Sequence, residues 1–159
     1  CYESQVIWRD EYEMEVTSNA PLDHKYQMPD SLKSVKNCCV DLGEEEFTVG
    51  RPHPMIDNDL RVRRLLQEAK DPEVAVIMLD VVIGYGAHPD PAAELGKAIR
   101  KANEAAAKEG RQVIFIASVT GTEGDPQNLT RSTETLKAAG VIVCNSNAAA
   151  SRLTALMVS

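Results

Sequence analysis

From residue 37 onward two patterns of apolar positions alternate along the chain. Short, nearly uninterrupted runs occur at "CCVDL" (38–42), "VAVIMLD" (74–80, continuing to Ile83), "VIFIASV" (113–119) and "VIVC" (141–144). Their β-branched content and the lack of polar alternation predict strands covered on both faces, as in a parallel sheet. Between them, apolar residues return every three or four positions. Ile56, Leu60, Leu66 and Ala69 share one side of a helix ending near Lys70, before the Asp-Pro pair at 71–72. Ala92, Leu95, Ile99, Ala102 and Ala106 form a stripe through 91–109, closed by Gly110. Further helices are predicted over about 127–139, before Gly140, and over about 147–158. Four strand–helix repeats predict an α/β fold with a doubly wound parallel sheet and helices on both faces.

Residues 1–36 lack this alternation. They carry mixed charge, Pro21 and Pro29, and the loop-like "SNAPLDHKYQMPDSLK". They are expected to be an irregular lead-in cut from a preceding segment, its first residues helical, ahead of a domain over 37–159.

Ligands of such sheets collect at the carboxyl ends of the strands. The loops predicted there are "GEEEFTVGRPHP", "GYGAHPD", "TGTEGDPQ" and "NSNA". In the second, Gly84, Tyr85, Gly86 and Ala87 lead to a helix start whose free amides suit an anion. Asp90 and Pro91 are equally good helix-starting residues, and a seated carboxylate competes for the same amides. The loop has neither the Lys-Ser/Thr of a nucleotide P-loop nor the third glycine of a dinucleotide fingerprint. His88 has three readings: a weak candidate for the catalytic nucleophile, a ligand contact, or a solvated loop residue. Arg51 and His53, between prolines, suit carboxylate or phosphate recognition, or merely occupy an exposed turn. Thr120, Gly121 and Thr122 offer donors for an oxyanion, or turn chemistry. Asn145 and Ser146 are further candidates that also fit a helix cap.

The 159 residues suit a single core, and with 4% aromatics that core must be aliphatic. A formal charge of −7 argues against a nucleic-acid partner. No apolar run reaches bilayer length, and no signal-peptide layout opens the chain, so no membrane role is expected. The four cysteines include no CxxC pair. A reduced, cytoplasmic protein without a metal site is expected.

The ordered motifs "VDLGEEEFTVGRPHPMID", "MLDVVIGYGAHPDPA", "VTGTEGDPQ" and "LKAAGVIV" resemble the FdrA family, related to succinyl-CoA synthetase and other NDP-forming acyl-CoA synthetases. The resemblance spans roughly 37–158 and implies a flavodoxin-like CoA-ligase domain. It further implies an N-terminal CoA-binding-like domain in the same polypeptide, and a homo-oligomer or multi-subunit complex. Gly84, Gly86 and His88 would inherit a phosphate-facing role. The synthetase phosphohistidine belongs to an extended loop after the next strand, whereas "SVTGTEGDPQNLTRS" is short and holds no histidine. FdrA-like proteins are also associated with oxamate carbamoyltransferase. The implied chemistry is thus acyl or carbamoyl transfer involving phosphate, with CoA or an acyl or carbamoyl phosphate as ligand. Its rivals are a succinyl-CoA-synthetase-like ligation and a non-catalytic assembly domain.

Overall fold

The computed structural model describes residues 1–159. Its elements are α1 (Tyr2–Val6), continued by a π-helical turn at Ile7–Glu11, then β1 (Thr17–Ser18), β2 (Cys38–Cys39), α2 (Glu45–Thr48) and α3 (Asp59–Glu68). They are followed by β3 (Val76–Val82), α4 (Pro91–Lys108), β4 (Ile114–Thr120), α5 (Leu129–Ala138), β5 (Ile142–Cys144) and α6 (Asn147–Val158). β3, β4 and β5 form a parallel sheet in that order, with Val76 beside Ile114, Val82 beside Thr120, and Ile116 beside Ile142.

Side chains of a strand alternate between its faces, and here both faces are covered. Ile77, Leu79, Val81, Phe115 and Ala117 pack with Leu65 of α3, Leu95 and Ile99 of α4, and Leu136 of α5. Met78 points to the other face, where Ala155 of α6 meets Ile7 and Trp8. The α4 stripe foreseen from the sequence is buried throughout. Asp90 caps that helix by accepting from Ala93 N–H at 3.1 Å, and Gly110 ends it in the left-handed region at φ +69°. The architecture is the α/β, parallel-sheet, flavodoxin-like one. No helix is long and apolar enough to cross a membrane.

Three features differ from the sequence pattern. The run at 38–42 does not join the main sheet. Only Cys38 and Cys39 form a ladder, in parallel with Thr17 and Ser18, and a cavity separates this pair from β3. Ile56 lies outside its predicted helix and is exposed, because it belongs to a turn in which Ile56 N–H and Asp57 N–H both donate to the His53 carbonyl. The helix predicted from 127 starts at Leu129, because the Gln127 side chain is engaged elsewhere and Asn128 at φ +62° supplies the cap to Arg131 N–H.

Residues 1–36 hold a helix, a strand and extensive packing. Trp8 is buried and its Nε1–H donates to the Ser151 carbonyl at 2.8 Å. The Ser4 and Ser151 hydroxyls meet at 2.9 Å, and Arg152 holds Glu11 through two contacts of 2.7 Å. That pair is exposed, and the guanidinium beside it keeps the Glu11 carboxyl below the usual carboxylate range.

Candidate functional site

The glycine loop after β3 is braced from within the chain. Gly84 N–H donates to Gln127 Oε1 at 3.0 Å, and Gln127 Nε2 returns bonds to the carbonyls of Gly84 (3.0 Å) and His88 (2.9 Å). Gln127 itself is buried. His88 N–H donates to the Met55 carbonyl at 2.8 Å, joining the loop to the turn that carries His53. The His88 ring is also engaged: Nδ1 accepts from Asp90 N–H at 3.0 Å, leaving the proton on Nε2, 2.9 Å from Glu94 Oε2. In this arrangement His88 positions the loop and helix cap, and neither ring nitrogen points free toward a reacting group. Tyr85 is exposed, and Gly86 at φ +82° has open space where a side chain would go.

The loop after β4 lies against this one. Ile83 N–H donates to the Thr120 carbonyl at 3.0 Å, and Gly121 packs directly on Ile83. Thr122 N–H is taken by Asp125 Oδ2 at 2.6 Å. Glu123 accepts from Thr130 N–H and from the Asn128 carboxamide. Ser146 caps α6 through Ala149 N–H at 3.1 Å, with Asn145 exposed beside it. Arg51 is exposed on its turn. Of the residues singled out in the sequence, the structure gathers Gly84, His88, Thr120 and Gly121 around Gln127 and Ile83, with Ala87 N–H bonded to the Gly84 carbonyl. Arg51, Tyr85 and Asn145 stand apart in solvent.

The open space lies on the other side of the Met55 turn. A cavity of about 240 Å³ adjoins the carboxyl end of β3 and is lined by Gly43, His53, Asn58, Arg61, Asp80 and Asn147, among others. Asn58 is 1% exposed, and neither its Oδ1 nor its Nδ2 has a hydrogen-bond partner in the chain. Leaving such atoms unpaired costs about 1–3 kcal/mol each, so a buried carboxamide in this state is set to meet a complementary group. Arg61 donates to the Asp80 backbone carbonyl and lies 3.6 Å from its Oδ1. Burial lowers the Arg61 pKa below the ordinary guanidinium value, and the Asp80 carboxylate opposes that shift. His53 Nδ1 accepts from Met55 N–H at 3.1 Å, which fixes the ring at the rim.

Charge and size decide what this cavity suits. Arg61 is its one permanent cation, and the Asp80 and Asp41 carboxylates share the lining, so a polyanion gains little there. About 240 Å³ is below the roughly 300–1,000 Å³ of pockets that bury a drug-sized ligand. A neutral arm that both donates and accepts, as an amide does, matches Asn58.

Asn58, Arg61 and Asp80 were not singled out from the sequence. One signal was present: Asp80 interrupts an otherwise apolar strand, "VAVIMLDVVI", where a carboxylate needs a specific partner. Asn58 carried no such signal, because "DND" reads as ordinary helix-start chemistry.

The chain is 43% identical over 133 residues to the uncharacterized protein YahF of Escherichia coli (strain K12), a match covering 84% of this chain and 26% of that relative's length. The chain thus spans about a quarter of that relative's length. Residues 1–157 match the CoA-ligase family. The chain therefore belongs to the CoA-ligase family, in keeping with its parallel sheet.

Proposed function

We propose that this chain serves acyl-group transfer of the acyl-CoA ligase type, its cavity at the end of β3 receiving the neutral arm of CoA. The observation that carries the reading is the buried, unpartnered carboxamide of Asn58 in a cavity too small and too nearly charge-balanced for a nucleotide. The nucleotide end would fall to a CoA-binding-like domain of the same polypeptide, as the FdrA resemblance implies. The loop of Gly84, Gly86 and His88 is tied to the Met55 turn that lines the cavity, with His88 as a positioning residue and His53 at the rim. FdrA-like carbamoyl transfer to phosphate is a second, competing reading, resting on the ordered motifs. It requires an anion site at the Gly84–Ala87 and Thr120–Thr122 backbone.

An NMR titration of the chain with pantetheine, CoA, phosphate and carbamoyl phosphate in turn tests both. Saturable shifts of the Asn58 side-chain amide with pantetheine and CoA, abolished in Asn58→Leu, support the acyl-CoA reading. Shifts at Gly84, Gly86 and Gly121 with the phosphates alone replace it with the carbamoyl version. No response to any of the four overturns both and leaves an assembly role.

A further inference from the structure

We propose that Cys1 and Cys39 form a reversible oxidative clasp, a disulfide that fastens the start of α1 to β2 beside the smaller cavity. Both are free thiols, and their sulfurs lie 3.0 Å apart although the residues are 38 positions apart in sequence. A disulfide has its sulfurs about 2.0 Å apart, so closing this bond takes roughly 1 Å of movement between two side-chain tips. Cys1 also lines the cavity that holds Asn58, so the clasp closes where that cavity opens.

Buried groups fix this approach. Gln5 N–H donates to the Cys1 carbonyl at 3.2 Å, which sets the first turn of α1. The Gln5 side chain is buried, and its Nε2 donates to the Ala20 carbonyl at 3.0 Å and to the Ser18 hydroxyl at 3.3 Å, with Cys1 Sγ 3.8 Å away. Ser18 is the ladder neighbour of Cys39. One carboxamide therefore holds the helix start against the strand pair that carries the second thiol. Cys39 Sγ is also 3.6 Å from the Cys1 carbonyl, so it meets the backbone of Cys1 as well as its sulfur. Successive side chains of a strand point to opposite faces, so Cys38 turns away from Cys1, toward Ser34 and Arg64. Cys144 belongs to β5, in the other sheet.

The two thiols differ in access, and the difference orders the chemistry. Cys1 is exposed, whereas Cys39 packs with Tyr12, Met14 and Met78 against the cluster of Ile7, Trp8 and Val16, where burial keeps its thiol protonated. A low-molecular-weight disulfide supplies the oxidising equivalents. The Cys1 thiol releases its proton to solvent, and its thiolate attacks one sulfur of that disulfide, expelling the other as a thiolate that takes up a proton. Cys39 then gives its proton to water and attacks Cys1 Sγ, and the second small thiol leaves in the same way. In sum, two protein thiols lose two protons and two electrons, and the S–S bond of the oxidant is reduced to two thiols.

The bridge is uncharged and so suits the apolar surroundings of Cys39, where a thiolate is costly. Its Cys1 sulfur stays accessible, which leaves the bond open to reduction by an external thiol. Closing it ties β2 to α1, whose Ser4 hydroxyl already meets Ser151 of α6. The clasp goes beyond the proposed acyl-transfer role and does not depend on it, since no acyl or CoA ligand enters the reasoning.

The test treats the folded chain and its Cys38→Ser and Cys39→Ser variants with oxidised glutathione, followed by intact mass and non-reducing peptide maps. The parent and Cys38→Ser are expected to lose two hydrogen atoms and to yield a peptide linking Cys1 to Cys39. Cys39→Ser should stop at the glutathione adduct of Cys1. The ratio of bridge to adduct should be at least tenfold higher in the folded parent than in the same chain unfolded in urea. The oxidised parent should also unfold at higher urea than the reduced one, because the closed loop restricts the unfolded chain, and dithiothreitol should reverse the shift. A Cys1 adduct that persists in the folded parent, no reaction at Cys1, or a bridge to Cys38 or Cys144 in its place overturns the proposal. Equal bridging in the folded and unfolded chains, or an oxidised chain no more resistant to urea, overturns it as well. The parent and Cys38→Ser decide the matter with both clasp residues intact.

Discussion

Gly121 and Gly86 both belong to strand-end loops, but the structure needs them for opposite reasons. A β-carbon on Gly121 would lie 2.1 Å from Ile83 Cγ1 and 2.9 Å from Asp125 Oδ2. Gly121→Ala is expected to lower stability by about 1–3 kcal/mol through overpacking, measured by urea denaturation. Gly86 has open space around it and φ +82°, so Gly86→Ala is expected to cost only the conformational penalty of about 1–2 kcal/mol. The sequence marked Gly86 as part of an anion-facing loop and Gly121 as an oxyanion donor or turn residue, and it could not show the crowding at Gly121, because the close neighbour there is Ile83, just past the end of β3. Cysteine chemistry was equally hidden. Burial pushes the Cys39 thiol up to about 12. Its folded-state pKa is thus above the unfolded value, so its contribution to stability is fully present below about pH 8.5 and is lost as pH rises toward 12. Cys39 should resist alkylation at pH 8 far longer than the exposed Cys1. Mass-spectrometric peptide mapping after timed iodoacetamide treatment checks this, and equal rates at the two thiols would refute it.

Among the elements, Gln127 fastens two strand-end loops together. Its three hydrogen bonds reach Gly84 and His88, 43 and 39 residues earlier in the chain. Gln127→Ala leaves Gly84 N–H and the His88 carbonyl without a partner, and the Gly84 carbonyl with only the 3.3 Å bond from Ala87 N–H, so a loss of about 2–3 kcal/mol is expected, with faster amide exchange at Gly84. Gln127→Glu should fail differently, since a carboxylate can accept from Gly84 N–H but cannot donate to the two carbonyls. The strand runs and the α4 stripe were legible because periodicity is a local property of the chain. What a strand pairs with is not local. The run at 38–42 reads as a core strand, and it borders apolar surface as expected, yet its ladder partner is Thr17–Ser18, within a segment whose pattern gave no strand. The candidate site divides in the same way: its glycine and proline loops announced themselves, whereas Asn58 and Arg61 acquire meaning only from the cavity they share.

At the scale of the whole molecule, the first 36 residues are joined to the last helix by side chains rather than by sheet hydrogen bonds. Ser4, Trp8 and Glu11 meet Ser151 and Arg152, more than 140 residues away in sequence, and Ile7 and Val16 share a core with Ala155. No pattern within residues 1–36 could reveal this, because half of each contact lies at the other end of the chain. The packing has a thermodynamic consequence. A lead-in bound only weakly would melt before the parallel sheet, whereas one that shares a core with α6 should unfold with it in a single transition. Trp8 is the only tryptophan in the chain and reports on that contact directly. Its fluorescence transition in urea should therefore superimpose on the far-UV circular dichroism transition, which is dominated by α4 and the other helices. Trp8→Phe removes the 2.8 Å bond to the Ser151 carbonyl and is expected to lower the stability by about 1 kcal/mol, moving the common midpoint to lower urea without splitting it. In that variant the remaining probe is circular dichroism, paired with exchange at the buried α6 amides. A circular-dichroism curve with two steps, or fluorescence of the parent chain changing ahead of its helices, would show instead that the amino-terminal segment folds on its own terms and only rests against the sheet.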